Sequence, residues 1–579
     1  MKWLLALLLL GGAAQAASLP AVEAPHFMVV SAQHLAADAG VEILREGGNA
    51  VDAAVAVGYA EAVVNPCCGN IGGGGFMTIH LADGTDHFIN FREMAPAAAS
   101  ANMYLDADGK PRPGASINGY LAVGVPGTVA GLDLALRHYG HLTRAQAMAP
   151  AIRLARDGFV LLRGDTDILQ ARTAKLRAQA NVAAIFLHPD GSPLQPGERL
   201  VQSDLARTLA AIARDGPDGF YRGPVPQAVA AAARAYGGIL TAADFATYHA
   251  ADIAPLRCKY RGYDFVTAPP PSSGGTTMCE ILNILAPTDM HALGFRSVAS
   301  VHLLVEAMRH AYFDRNTYLG DPDFVANPLD WLLSAGHAAA IRASTDPNHA
   351  GKTSALQPGV APHERKQTTH FSVLDAAGNA VSTTFTINGF FGAGVIAGDS
   401  GFFLNNEMDD FTSRPGVANM MGLVQGAANA IAPGKRPLSS MAPTILLKDG
   451  KPMLVLGSPG GARIITITLE VALNMIDYGM DLQEAVDAPR LHHQGLPDVV
   501  FTEKRGLSPD TIAKLTAMGY KIVEQIPWGA VAAIGRGGFP RDPGAIPAGT
   551  DIARSGLMLP GLIYGANDSR RPAGKAEGN

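Results

Sequence analysis

The chain has 579 residues, 48% of them hydrophobic and 17% charged, with a formal charge of −6. That balance excludes a disordered chain, and a mild negative charge without clustered Lys and Arg gives no argument for a nucleic-acid surface. The length admits about two to four average domains or one large layered assembly.

The first residues, MKWLLALLLLGGAAQAAS, combine one positive charge, an apolar run and the small-residue pattern Ala14-Gln15-Ala16. Together they predict a secretory signal over residues 1–16, cleaved after Ala16, and hence a periplasmic or secreted protein. No later segment approaches the about 20 apolar residues of a spanning helix, so the mature chain is expected to have no membrane span.

From about Val29 to Arg214 the pattern is mostly helical, and AADAGVEILREGG closes on Gly47-Gly48 as a helix stop. The stretch IGGGGFMTIHLADG breaks in as a glycine turn feeding a strand. Its glycines lack the GK[ST] or GxGxxG spacing of a phosphate loop, so close backbone packing is the expected use. TAPPPSSGGTTMCEILNIL reads as a Pro and Gly turn capped by Ser or Thr at a helix start, and SVASVHLLVEAMRHAYFDR as the next helix.

The cysteines are four. Cys67 and Cys68 are adjacent, Cys258 and Cys279 lie far off, and no metal-type spacing occurs. Buried small hydrophobes are expected, with room for one disulfide between Cys258 and Cys279.

Ala343 to Gln367 is almost free of large apolar residues and reads as a linker ending at Thr368. Alternation of period two from His370 to Leu374 and from Val381 to Asn388 then predicts two half-buried strands. Asp375 to Asn379 is the turn, with Gly378 placed for a positive φ. If Asp375 faces Asn379, Phe371 faces Thr383 and Thr368 faces Thr386, with Asn388 on the same face. Taken alone this is also an ordinary threonine-rich strand pair. GDSG at Gly398 to Gly401 echoes a serine-protease motif, but no suitable histidine and aspartate context accompanies it, and a glycine turn is expected. Helix RIITITLEVALNMIDYG and the closing KLTAMGYKIVEQIPWGAVAAIG follow, and GRGGFPRDPGAIPAGTDIARSG reads as a mobile surface loop.

A threonine hydroxyl needs an adjacent base, which the amine of an N-terminal threonine supplies. An unstructured segment ending just before a strand-opening threonine is the pattern of a processing site, with Thr386 placed to orient Thr368.

The blocks TTHFSVLDAAGNAVSTTFTIN, NNEMDDF, KRPLSSMAPT and GSPGGARIIT, preceded by EGGNAVDAAVA, NFREMAP, PPPSSGGTTM and YLGDPDF, resemble in order and spacing the γ-glutamyltransferases of the N-terminal nucleophile hydrolase superfamily. The resemblance covers nearly the whole mature chain. It implies an α/β, four-layer αββα fold and a precursor that cuts itself between Gln367 and Thr368. The products would be a large subunit, 17–367, and a small catalytic one, 368–579, that stay together as a heterodimer. Thr368 would attack the γ-carbonyl of glutathione or another γ-glutamyl compound, and the acyl group would pass to water or to an amino acid or dipeptide. No metal or organic cofactor is implied.

By the same resemblance Arg92 would hold the substrate α-carboxylate, a task suited to a bidentate guanidinium. Ser439 and Ser440 would share it. Asp410 would pair with the α-ammonium, with Glu407 and Asn388 as further hydrogen-bonding groups and Asp409 structural. Gly460 and Gly461 would give backbone N–H groups to the oxyanion. TSRPGVANMMGLV resembles a lid in which Met421 replaces the tyrosine of several bacterial relatives, and a thioether makes no equivalent hydrogen bond. The alternatives are a glutaryl or cephalosporin acylase of the same superfamily, whose substrate lacks the α-ammonium, and an unprocessed periplasmic binding protein.

Overall fold

The computed structural model describes residues 19–353, 368–539 and 558–579. The expected signal segment lies outside these residues, as do residues 354–367 of the expected linker, Gln367 among them, and 540–556 of the expected surface loop.

Among the described residues fourteen strands build the centre: β1 (Val22–Ala24), β2 (Met28–Ser31), β3 (Gly74–His80), β4 (Asp86–Phe91), β5 (Ala251–Ile253), β6 (Leu256–Tyr260), β7 (Tyr263–Thr267), β8 (Thr369–Leu374), β9 (Ala380–Thr386), β10 (Thr444–Lys448), β11 (Lys451–Gly457), β12 (Ala532–Arg536), β13 (Ile563–Asn567) and β14 (Lys575–Gly578). They form two seven-stranded sheets, ordered β14-β2-β8-β9-β3-β4-β5 and β1-β13-β12-β11-β10-β7-β6. Each sheet therefore mixes strands from before and after Thr368.

Helices α1 (His34–Arg45) and α2 (Ala50–Val64) join the apolar cluster on the outer face of the first sheet, with Val29, Ile79, Phe371, Val381 and Phe385. Helices α3 (Gly274–Leu285), α4 (Val298–Tyr318), α5 (Ala335–Ser344) and α6 (Ile464–Ile476) cover the second with Phe265, Leu446, Leu456 and Ala533. Val30, Leu374, Ala380, Ile445 and Ile534 fill the space between the sheets. The result is the αββα layering.

The hairpin has the register read from its turn. Asp375 N–H bonds Asn379 O at 3.0 Å, Phe371 faces Thr383, and Gly378 has φ +98°. One expectation fails: every residue of β8 and β9 is buried, not half of them. The period of two is real, but the polar face meets the second sheet instead of water. There Ser372 Oγ donates to Ala532 O (3.0 Å), Ser382 Oγ to Leu456 O (2.9 Å), and His370 Nδ1 lies 2.8 Å from Thr384 Oγ1. Such pairing offsets the cost of burying hydroxyls. Gly457 makes room for the imidazole, since a Cβ there would lie 2.4 Å from its Cε1.

The glycine tetrad packs as expected. A Cβ on Gly72, Gly73, Gly74 or Gly75 would lie within 2.5 Å of a backbone oxygen, and for Gly73 the oxygen is that of Thr386, at 1.8 Å. Gly398 and Gly401 take the positive φ of a turn.

Other details differ from the sequence reading. Helix α5 extends through Ser344 into the expected linker, and Thr353 N–H is tied to Asp498 Oδ2 at 2.8 Å. Gly535 and Arg536 belong to β12, not to a loop. Ser273 stands at the N-terminus of α3 without a side-chain cap bond; its hydroxyl donates instead to Ser439 O at 2.6 Å. Cys258 and Cys279 are joined, as allowed for, but Cys67 and Cys68 are joined as well. Both of the latter are buried, and their carbonyls accept from Phe391 and Ile387, bracing the segment that carries Asn388.

Candidate active site

Hairpin geometry puts Thr368 and Thr386 at the open end of β8 and β9, just past the Thr369–Phe385 pair. They line one cavity with Arg92, Asn388, Glu407, Asp410, Met421, Ser439, Ser440 and Gly461. Residues more than 300 positions apart are thus gathered around the two threonines. Gly460 adjoins the cavity through Gly461, and Gln367 lies outside the described residues.

Each group arrives on its own support. Arg92 follows β4, whose pairing with β3 sets it beside the tetrad. Asn388 leaves β9 at φ +62°, its N–H donating to Thr386 Oγ1 (2.8 Å) and its amide to Asn406 O (3.0 Å). Glu407 to Asp410 form a single 3-10 turn. Ser439 is held by α3, because Ser273 donates to its carbonyl from both N–H (2.9 Å) and Oγ (2.6 Å). Gly460 and Gly461 have φ +152° and +56°, which side chains strongly disfavour. A Cβ on Gly461 would also lie 2.7 Å from Met421 Sδ.

The electrostatics contain an arrangement that the sequence did not disclose. Arg92 is wholly buried and bonds both Glu407 and Asp410, the latter at 2.5 Å. The groups expected to grip the two charges of an amino-acid head grip each other. Burial alone would lower the arginine pKa, but Glu407, Asp410 and Glu93 raise it. Burial pushes Glu407 well above the carboxylate range, and Glu93, 3.5 Å from Arg92, to about 7. The cavity measures about 20 Å³, room for a water molecule and little more. The charged groups of the cavity are thus paired with one another, and Met421 closes in on the same space.

Asp409 accepts from Ser116 Oγ (2.6 Å) and Met420 N–H (2.9 Å), tying the expected lid to its neighbours, and burial raises its pKa to about 7. Two contributors were missed. Arg315 on α4 is buried and donates to Ser440 Oγ (3.0 Å), Ser273 Oγ (2.9 Å) and Gln425 Oε1 (2.9 Å), and burial lowers its pKa to about 10. It brings a second positive charge to the serine side of the cavity. Among the described residues no other residue hydrogen-bonds either carboxylate oxygen of Glu93, which meets Arg92 only at 3.5 Å. The only signal for Glu93 was its place beside Arg92 in NFREMAP; nothing in the helical pattern around Arg315 points to Ser440.

A buried threonine hydroxyl at a strand end, Gly461 on the wall of the same cavity and a cluster of paired charges of both signs beside them suit acyl transfer from an amino-acid side-chain amide. The chain matches the family model described as Gamma-glutamyltranspeptidase over residues 36–560. It is 56% identical over 564 residues to the glutathione hydrolase proenzyme of Pseudomonas sp. (strain A14), covering 97% of this chain and 96% of that one. Its identity to the glutathione hydrolase proenzyme of Escherichia coli (strain K12) is 49% over 515 residues, covering 89% and 88%. Among solved structures, cephalosporin acylase from Bacillus halodurans superposes with a TM-score of 0.82 over 98% of each chain, at 27% identity.

Proposed function

Because the chain belongs to the γ-glutamyltranspeptidase family, we propose that it is a self-processing γ-glutamyltransferase and glutathione hydrolase. The observation that carries this reading is the convergence of Thr368, Thr386, Arg92, Glu407, Asp410, Ser439, Ser440 and Gly461 on one cavity.

Thr368 Oγ first attacks the carbonyl of Gln367, and water completes the cut, leaving a carboxylate on residue 367 and a free amine on Thr368. That amine then serves as base. It takes the hydroxyl proton as Oγ attacks the γ-carbonyl of the donor, whose oxygen becomes an anion beside the Gly460 and Gly461 N–H groups. Collapse expels the amine of the leaving peptide, which receives the proton, and a γ-glutamyl ester remains on Thr368. Water or the amine of an amino acid or dipeptide attacks the ester in turn and restores the hydroxyl.

Substrate binding is an exchange of ion pairs. The α-carboxylate takes Arg92 and the serine hydroxyls, with Arg315 holding Ser440 in place, while the α-ammonium takes Asp410, Glu407 and Asn388. Binding energy from this remote end fixes the γ-carbonyl at the nucleophile, where it lowers the barrier. No helix among the described residues is long and apolar enough to cross a membrane.

Intact mass spectrometry of the denatured mature protein, with sequencing of any new amino terminus, tests the processing step. Two chains are expected, the smaller beginning at Thr368; one uncut chain in a preparation active on γ-glutamyl anilide would refute the mechanism. The resemblance to a cephalosporin acylase keeps one rival in play, and the acidic pair Glu407 and Asp410 argues against it, because a glutaryl group has no ammonium to meet them.

A further inference from the structure

Away from the nucleophile, helices α3, α4 and α5 bring Glu280, Asp314 and His337 together so that one ligand atom from each lies within 4.8 Å of the others. Asp314 Oδ2 is 2.7 Å from His337 Nε2, and Glu280 Oε1 is 3.5 Å from the same nitrogen. Glu280 is 1% exposed and Asp314 5%. Among the described residues Glu280 Oε1 is buried with no hydrogen bond, and its contact with His337 Nε2 at 3.5 Å is an ion-pair distance only, so its hydrogen-bonding capacity is aimed into the cluster unused. Such an atom is costly unless something meets it.

We propose that Glu280, Asp314 and His337 bind a divalent transition-metal ion, zinc foremost, at a site separate from the catalytic chemistry. Two carboxylates and a neutral imidazole carry a charge of −2 between them, which a divalent ion neutralises as it displaces any proton from the ligating nitrogen to solvent. Three N and O ligands that leave a fourth position to water form a known zinc arrangement, and imidazole favours zinc over calcium or magnesium. Bonds of about 2.0–2.1 Å in a tetrahedron separate ligand atoms by about 3.3 Å, between the 2.7 and 3.5 Å found here. The ring is already held: Trp331 lies against it at 4.1 Å between centroids, and Ser334 Oγ caps α5 by accepting from the backbone N–H of His337 at 3.0 Å, which fixes the turn that carries the ring. Asp314 directly precedes Arg315, so an ion held there fixes the turn of α4 that supports Ser440.

The test uses tag-free, processed protein stripped with chelator and titrated with Zn²⁺ by calorimetry, and with Co²⁺ by visible absorption. One equivalent per chain pair is expected, with the Co²⁺ spectrum of a low-coordinate site and a raised melting temperature. Glu280→Gln and His337→Gln should each weaken binding at least about tenfold while the metal-free proteins melt cooperatively. Absence of saturable binding to the wild type, or binding unchanged in both variants, would overturn the proposal.

Discussion

Asp410→Asn removes one negative charge from the cavity with almost no change of shape. In the free protein Asp410 is bonded to Arg92 at 2.5 Å, so the substrate ammonium gains Asp410 only as the carboxylate replaces it on Arg92. At about 3 Å and an effective dielectric near 20, the ammonium–carboxylate attraction is roughly 5 kcal/mol before desolvation. Subtracting the exchanged pair and the ammonium's desolvation leaves about 2–4 kcal/mol, the usual cost of losing one partner of a buried charge pair. That converts to a fall of roughly 30- to 1000-fold in kcat/KM for a γ-glutamyl anilide. A glutaryl anilide has no ammonium, so its slower turnover should change by less than about fivefold by the same reasoning. The informative quantity is the ratio of the two kcat/KM values, because a damaged fold lowers both alike. Equal losses on the two substrates, or an unchanged ratio, would refute the assignment of Asp410.

Thr368→Ala is expected to abolish both the cut and turnover, seen as one uncut chain by mass spectrometry, whereas Thr386→Ala should slow both steps without stopping them. Gly73→Ala drives a Cβ to 1.8 Å from Thr386 O, which should cost more than about 4 kcal/mol and prevent processing. Gly84→Ala, at φ +88° in open space, should cost only about 1 kcal/mol; equal denaturation midpoints for the two would contradict this packing. Burial holds the His370 imidazole down at about 3, against about 6.5 unfolded. The unfolded chain thus binds the extra proton, and this stability is complete above about pH 6.5 and lost as pH falls toward 3, by about 2.7 kcal/mol at pH 4.5. Denaturant midpoints at pH 7 and 4.5 should separate less in His370→Asn than in the wild type; equal separation would show that His370 does not carry the acid sensitivity.

Local chemistry was legible where the chain fixes its own geometry. Five residues of turn set the hairpin register, so the pairing of Phe371 with Thr383 could be read before any tertiary contact was known. The glycine tetrad announced close packing, though not that Thr386 was what it packed against. What escaped were features made by distant segments. Met28 pairs with Leu374 across the sheet, and no local pattern encodes that neighbour. The hydroxyl face of β8 and β9 looked solvent-facing because sequence alternation distinguishes polar from apolar and not wet from dry. Arg315 sits in a helix without amphipathic contrast, buried on nearly every side. The direct pairing of Arg92 with Asp410 needed coordinates, since the resemblance assigned each a substrate group and neither to the other.

A cut before Thr368 would divide a molecule in which neither piece owns a sheet. β8 lies between β2, from the first piece, and β9, from the second, while β6 and β7 of the first piece close the edge of a sheet whose centre belongs to the second. Dissociation and denaturation are then the same event, so two differently labelled preparations should not exchange subunits while they remain folded. The broken bond also carries information that the pieces cannot regenerate: continuity of the chain guides assembly once, before the cut, and is absent from every later attempt. Such a protein is held together by the path it took, and its lifetime is set by the rate of its first unfolding.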